Sequence, residues 1–322
     1  MIPAKNDLTI GFAHVAYQLG PQFAKRDRGI NFFHVASRED LEARIGEADV
    51  LVISGLWRNE LVDLAPKLRF IQVCAAGTDQ FNRELLSKRG IRLASGSGVN
   101  ARGVSDHAMS LMLALARKLP EARDNQTKKF WRGMISDINA REDELAGKTL
   151  FIVGTGKIGD RLARLAKAFE MKVIGFRRNT SAGKGHADAM HAISEFKDML
   201  PQADMVALCC PLTDETRDLV DAAALSRMKP SAYLINVARG PCVNEAALVK
   251  ALNDGQIAGA GIDVTAEEPL PATSALWTAR NAFITPHTAG ETRKYEDNVL
   301  DILEENLARL WRGETTLHNQ IL

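Results

Sequence analysis

Residues 148–179 read KTLFIVGTGKIGDRLARLAKAFEMKVIGFRRN, and the centre of this stretch is a glycine-spaced turn, Gly154, Gly156 and Gly159. An apolar run at 150–153 enters the turn and an alanine-rich helical pattern at 158–169 leaves it. A second apolar run at 171–176 then completes a strand–helix–strand unit of about 30 residues, the context in which a GxGxxG spacing signals dinucleotide binding. Gly154 permits the tight turn, Gly156 carries no Cβ to keep a pyrophosphate from the backbone, and Gly159 allows the helix to pack closely on the strand. The free N–H groups at the helix start, including those of Lys157 and Ile158, together with the helix dipole attract the anion. A Walker loop would need Lys and Ser or Thr after its last glycine, where this chain has Asp160 and Arg161.

Outward from this unit, 322 residues suit two domains of ordinary size. A composition of 46% hydrophobic and 25% charged residues is that of a globular protein. The formal charge of +1 argues against a surface built to coat nucleic acid or an acidic membrane. The N-terminus lacks the basic start and apolar core of a signal peptide, and no apolar run approaches the ~20 residues that span a bilayer, so a cytoplasmic chain is expected. The four cysteines, Cys74, Cys209, Cys210 and Cys242, have no CxxC spacing and read as buried reduced thiols rather than metal ligands.

In the first hundred residues, apolar runs at 8–12, 32–35, 50–54, 70–74 and 91–94 alternate with helical patterns such as 39–45 and 60–65. Such alternation predicts a small doubly wound domain with a parallel sheet. Gly96, Gly98 and Ala101 also fit GxGxxA, but no strand closes a second unit after the helix expected at 104–119, so 95–100 reads as the crossing between domains. Strands expected at 205–210, 233–237, 260–264 and 282–285 continue the second domain, with a helix at 244–253 capped by Asn244 and ended by Gly255. A long amphipathic helix at 295–311 should return to the first domain.

Three side chains follow predicted strands of the second domain, at the edge where open α/β sheets hold their ligands: Arg239 in NVARG, Glu268 in DVTAEEP and His287 in ITPHTAG. A fixed cation and a proton donor on one edge suit a reaction in which negative charge develops on an oxygen. Arginine can hold a carboxylate through two parallel hydrogen bonds, histidine exchanges protons near neutral pH, and a carboxylate beside it fixes its tautomer.

The segments NVARGPCVNEAALVKAL, AGAGIDVTAEEPLP, TPHTAG, CCPLTDETRDLV and VCAAGTDQF resemble, in order and spacing, the D-isomer-specific 2-hydroxyacid dehydrogenases, a family that includes glyoxylate and hydroxypyruvate reductases. The resemblance covers essentially the whole chain. It implies an α/β fold of two doubly wound parallel-sheet domains, a Rossmann dinucleotide-binding domain at 101–290 and a smaller flavodoxin-like substrate-binding domain at 1–100 and 291–322. It implies further that Arg239 binds the carboxylate and carbonyl oxygen of a 2-keto acid, that His287 is the general acid in reduction, and that Glu268 is its partner. Backbone N–H groups of Ala76 and Gly77 would hold the substrate carboxylate. Leu56 and Trp57, after a strand of the first domain, either shape the substrate pocket or belong to the core or an interface. Asp263 and Gly290 would lie near the nicotinamide end of the cofactor, whose path would be lined by Cys210, Pro211, Thr216, Val237 and Ala238. A homodimer is implied, formed through the helix at 104–119 and the polar segment around Trp131.

The chain departs from an NAD-binding pattern at the end of its second strand. An acidic residue there would accept from the ribose 2′-hydroxyl, but the sequence is VIGFRRN, with Arg177 at that position and Arg178 after it. An arginine cannot accept but can pair with a 2′-phosphate, so NADP(H) is expected over NAD(H), with Thr180 and Lys184 assisting. Cys209 stands where histidine is common in the family. The reading is therefore an NADPH-dependent reductase of a small 2-keto acid. An NAD-dependent D-2-hydroxyacid or phosphoglycerate dehydrogenase is the alternative, although a regulatory domain would be expected after Leu322 in the latter. Formate dehydrogenase would carry glutamine in place of Glu268. A dinucleotide-sensing corepressor, the alternative of another class, would leave Arg239, Glu268 and His287 without a purpose.

Overall fold

The structure is a computed structural model that describes residues 2–322. The chain forms two compact units, one of residues up to Asn100 with Thr292–Leu322, the other of Ala101–Glu291. The smaller unit holds β1 (Thr9–Ala13), β2 (Asn31–Val35), β3 (Val50–Ile53), β4 (Phe70–Val73) and β5 (Arg92–Ala94), paired in parallel in the order β2-β1-β3-β4-β5. This is the flavodoxin-like order. The runs VLVI of β3 and FIQV of β4 are buried at every position because the sheet is covered on both faces.

One polar residue inside β4 explains how the C-terminal segment is attached. Gln72 is fully buried, and its Oε1 accepts from Asn306 Nδ2 at 2.9 Å, while Asn306 Oδ1 accepts from His318 N at 2.7 Å. The Tyr295–Trp311 helix buries Val299, Leu300, Leu303 and Leu307 in the same core as Ile10, Val50 and Val52. At its first turn the Tyr295 hydroxyl donates to the Cys74 carbonyl at 2.9 Å. The glycine at 96 belongs to packing alone, since a Cβ there would stand 2.4 Å from the Cys74 oxygen. The GxGxxA spacing at 96–101 is thus accounted for without a phosphate.

The larger unit holds β6 (Thr149–Val153), β7 (Lys172–Arg177), β8 (Ala189–Ala192), β9 (Met205–Leu208), β10 (Tyr233–Asn236), β11 (Gly259–Ile262) and β12 (Ala282–Ile284). Each pairing is parallel, in the order β12-β11-β10-β9-β6-β7-β8. The order reverses between β6 and β9, the switch point at which Rossmann sheets take their ligands. Alternate residues of the strands feed two cores. Leu150 and Ile152 pack with the Ala101–Ala116 and Lys157–Ala168 helices on one face, and Phe151 and Val153 pack with Leu225 and Leu248 on the other. The helix expected at 104–119 therefore turns its apolar side inward, with Val104, Met109, Leu111, Met112 and Leu115 buried in this unit.

The strand β8 has no counterpart among the expected elements. Its sequence AMHA has no apolar run and every residue is half-buried, as befits the last strand of a sheet edge. Apolar side chains of the 128–142 segment are left in solvent, with Trp131 at 96% and Met134 at 102% exposure. No helix of the described residues is long and apolar enough to cross a membrane.

Candidate active site

Because every strand of the larger unit runs the same way, the loops after β6, β7, β9, β10, β11 and β12 leave from one edge. The strand order then spaces the expected site residues along that edge. His287 follows β12, Glu268 follows β11, Arg239 follows β10, Pro211 follows β9, the Gly154 turn follows β6, and Arg177 ends β7. With about 4.8 Å between neighbouring strands, β7 and β11 are roughly 19 Å apart, so Glu268 and Arg177 lie toward opposite ends of this edge.

At one end a hydrogen-bonded set is formed. His287 Nδ1 lies 2.7 Å from Glu268 Oε2, and Glu268 Oε1 accepts from the Thr265 N–H at 3.0 Å. A carboxylate only accepts, so the hydrogen must sit on His287 Nδ1 and the proton-exchanging atom is Nε2. The side chains of His287 and Glu268 are 48% and 38% exposed, within reach of a ligand. The histidine backbone is in the left-handed region, φ 54°, and its N–H is shared between the carbonyls of Asp263 at 2.8 Å and Thr285 at 3.0 Å. A non-glycine residue in this region carries strain that the surrounding structure must outweigh.

Asp263 supplies most of that support. It is 2% exposed, and its oxygens accept from Thr285 Oγ1 at 2.6 Å, Thr288 N at 3.0 Å and Ala289 N at 3.1 Å. The carboxylate thus folds the loop on both sides of His287, a role that sequence reasoning did not assign to it. His107, on the Ala101–Ala116 helix, completes the network through Thr285 Oγ1 at 2.9 Å. The Arg239 turn is made in a similar way by the buried Asn236, whose Oδ1 accepts from Ala238 N and whose Nδ2 donates to the Arg239 carbonyl, both at 3.1 Å. The guanidinium itself is exposed. Gly240 brings this turn against the Glu268 loop, since a Cβ at 240 would stand 1.9 Å from the Thr265 carbonyl carbon.

At the other end the glycine turn has the form that a pyrophosphate requires. A Cβ on Gly156 would meet nothing within 4 Å, so this face of the backbone is open. One on Gly154, where φ is 90°, would stand 2.6 Å from Cys210 Cα, and one on Gly159 would stand 2.1 Å from the Gly154 oxygen. The open face and the two close approaches match the three jobs that a dinucleotide fingerprint gives its glycines. Beside the turn lies a cavity of about 320 Å³ that Lys157, Arg177 and Lys184 line.

Other expected site residues have partners within the protein. Trp57 is fully buried in the core of the smaller unit, its ring 5.2 Å from that of Phe81 and its Nε1 donating to Asn59 at 3.1 Å, so it has no surface to give a substrate. Leu56 is half-buried against the same core. Thr216 is 3% exposed, and its hydroxyl donates to the Pro211 carbonyl at 2.8 Å while accepting from Thr213 N at 2.7 Å, so it folds the 211–216 loop. The Cys210 thiol is buried in the core and hydrogen-bonded with Cys242, which leaves Cys210 its backbone for any ligand. Burial pushes the thiols of Cys74 and Cys209 up to about 12. Arg178 is held by Glu215 at 3.1 Å. Ala76 and Gly77 lie in the loop after β4, where Gly96 N donates to the Ala75 carbonyl at 2.8 Å and a Cβ on Gly77 would meet only the Asp79 carboxylate, at 3.8 Å.

Known proteins give this arrangement a context. The family model for the D-isomer specific 2-hydroxyacid dehydrogenase, NAD binding domain, matches residues 109–289. A glyoxylate reductase of Thermococcus litoralis is 36% identical over 277 residues, 84% of this chain and 83% of the relative. A glyoxylate/hydroxypyruvate reductase B of Yersinia pestis is 35% identical over 292 residues, 89% of each chain. Among solved structures, a D-isomer specific 2-hydroxyacid dehydrogenase family protein of Aeromonas salmonicida superimposes with a TM-score of 0.84 at 30% identity, covering 98% of this chain and 99% of that one.

Proposed function

Since the chain belongs to the D-isomer specific 2-hydroxyacid dehydrogenase family, and so is an oxidoreductase that binds a nicotinamide dinucleotide, we propose that it reduces a small 2-keto acid, glyoxylate or hydroxypyruvate, with NADPH, giving the D-2-hydroxy acid. The observation that carries the reading is the His287–Glu268 pair at 2.7 Å, one strand from Arg239 on the ligand edge of the sheet. The similarity to two reductases of such acids favours this substrate class.

When bound, the dinucleotide supplies the hydride that reduces the keto carbon. The chain's own residues manage the charge. The Arg239 guanidinium holds the substrate carboxylate and faces the carbonyl oxygen, where it opposes the developing negative charge. His287 Nε2 delivers a proton to the carbonyl oxygen as the charge builds. Glu268 keeps Nδ1 protonated and the ring in one orientation, and Asp263 holds the loop on which the ring is mounted. In the oxidising direction the same Nε2 takes the proton back. The choice of NADPH rests on Arg177, an arginine at the strand end where NAD-binding members place a carboxylate, and on Lys184 beside it.

The test is a rate matrix of the purified protein with glyoxylate, hydroxypyruvate, pyruvate and a bulkier keto acid, each with NADPH and NADH. Higher kcat/KM for glyoxylate or hydroxypyruvate with NADPH is expected, and equal or better rates with NADH would refute the cofactor assignment. The proposal includes a homodimer built on the exposed Phe130, Trp131, Met134 and Ile138, a cluster of apolar side chains of the kind that protein interfaces cover. Light scattering should give twice the chain mass for the protein and a monomer for Trp131→Glu; a monomeric wild type would rule this out.

A further inference from the structure

Between β7 and β8 the chain makes a loop whose shape is set by one side chain of the helix that follows the glycine turn. Asp160, in the first turn of the Lys157–Ala168 helix, accepts from the His186 backbone N–H through Oδ1 at 2.9 Å and pairs with His186 Nδ1 through Oδ2 at 2.8 Å. Gly185 adopts φ 56°, and a Cβ there would stand 2.0 Å from Asp160 Oδ1. From the strand side, Arg177 Nη1 donates to the Gly183 carbonyl at 3.3 Å. The 183–186 loop is therefore tied at both ends, to the helix by Asp160 and to the strand by Arg177.

The cavity beside the glycine turn is bounded by these contacts, with Gly156, Lys157, Asp160, Arg177, Lys184 and Gly185 in its wall. Three cations and one carboxylate meet there. A carboxylate in the wall of a phosphate pocket repels its ligand unless it has other work, and both oxygens of Asp160 are turned to His186. Lys184, by contrast, sits between two glycines in left-handed conformations, Gly183 at φ 80° and Gly185 at φ 56°. Such a segment, left untied, loses much conformational freedom on meeting a ligand, and a contact that orders it beforehand removes that cost from binding.

We propose that Asp160 is a positioning residue for cofactor choice: through His186 and Gly185 it holds the 183–186 loop so that Lys184 and Arg177 present their charges to one 2′-phosphate. The inference rests on the NADPH reading given above. Asp160 contacts the loop and not the reacting atoms, so its removal acts on the affinity for the phosphorylated dinucleotide and leaves the chemical step alone.

The experiment measures Kd for NADPH and NADH by fluorescence titration, with kcat at saturating cofactor, for wild type and for Asp160→Ala, Asp160→Asn and Gly185→Ala. Loss of two hydrogen bonds at a partly exposed site is worth about a tenfold change in Kd, so Asp160→Ala should weaken NADPH about tenfold and NADH less than threefold. Asparagine keeps an acceptor for the His186 N–H, and its amide donates to Nδ1 only once the ring carries its hydrogen on Nε2, so Asp160→Asn should fall between wild type and Asp160→Ala. Gly185→Ala should copy the alanine variant by pushing the loop from Asp160. An Asp160→Ala protein with the wild-type NADPH-to-NADH ratio, or with tighter NADPH, overturns the inference while the NADPH reading stands. A wild type that does not prefer NADPH overturns both. If Asp160→Ala does not fold, His186→Ala and Gly185→Ala decide the question by the same ratio.

Discussion

Glu268→Gln is the most informative single change at the catalytic end, because it preserves volume and alters only what the carboxylate accepts. The site asks two acceptors of this residue, one for the Thr265 N–H at 3.0 Å and one for His287 Nδ1–H at 2.7 Å. An amide has a single oxygen, so whichever way it turns one of these donors faces an NH2 group. A hydrogen bond to a charged group is worth about 1.5–3 kcal/mol, and a donor left unpaired costs about 1–3 kcal/mol when buried. With Glu268 and His287 38% and 48% exposed, water replaces part of the loss, and about 1–2 kcal/mol is the appropriate figure. That corresponds to a decrease of roughly 5- to 30-fold in rate. The assay is kcat and KM for hydroxypyruvate and glyoxylate at pH 7 with saturating NADPH, with NADPH Kd as the control that should not move and Tm as the measure of how much of the loss is ground-state stability. His287→Ala, which removes the proton donor itself, sets the floor at about 10²- to 10⁴-fold. A Glu268→Gln enzyme within twofold of wild type would show that the pairing does nothing for catalysis. One as slow as His287→Ala would mean that the ring does no work without its partner.

Two further changes test the architecture. Gly240→Ala places a Cβ 1.9 Å from the Thr265 carbonyl carbon and 2.0 Å from its oxygen, backbone atoms that cannot yield by a side-chain rotation. The Arg239 turn and the Glu268 loop must then separate, at about 1–3 kcal/mol of stability, and kcat/KM should fall more than the loss of Tm explains; wild-type kinetics would disprove the close approach. Asp188→Asn tests the start of β8, where the carboxylate meets Lys167 Nζ at 2.8 and 2.9 Å and accepts from Val173 N at 2.8 Å. The Lys167 ammonium, and after it the Val173 N–H, hold this carboxyl below its ordinary range. A carboxyl depressed in the folded state stabilises above its unfolded pKa of about 3.9, and the contribution disappears as pH falls through the folded value. The pair is well exposed, so the variant should lose less than about 1 kcal/mol at pH 7 and converge on wild type below pH 4. A Tm difference that does not change with pH would count against this origin.

The elements that were legible in the sequence are those whose physics is local. Apolar runs such as VLVI and FIQV are continuous because both faces of their strands are covered, and Asn244 shows itself as a cap because its side chain does bond the Ala247 N–H, at 3.0 Å. The strand β8 was not legible, because an edge strand needs no apolar run and AMHA has none. The place of Trp57 could not be read for a related reason. A large aromatic after a strand looks the same in sequence whether it faces a ligand or, as here, Phe81. The loop-holding role of Asp263 was not legible either, since its three partners lie 22 to 26 residues further on.

The same distinction separates the two ends of the ligand edge. At the catalytic end each functional side chain follows its own strand within a few residues, so locating the strands also located Arg239, Glu268 and His287. At the phosphorylated end the decisive contact joins Asp160 to His186, 26 residues apart and with β7 between them. Neither residue has a periodic or motif signal, and the glycine between Lys184 and His186 reads as a loop residue like any other. Only the 2.0 Å gap between Asp160 Oδ1 and the place of a Gly185 Cβ shows why a side chain there would open the loop. On the proposed reading, cofactor choice is spread over more positions than the arginine at the strand end. Exchanging Arg177 alone for an acidic residue removes the Gly183 tie but keeps the one from Asp160 to His186, and such a variant should lose NADPH without gaining NADH in the same proportion.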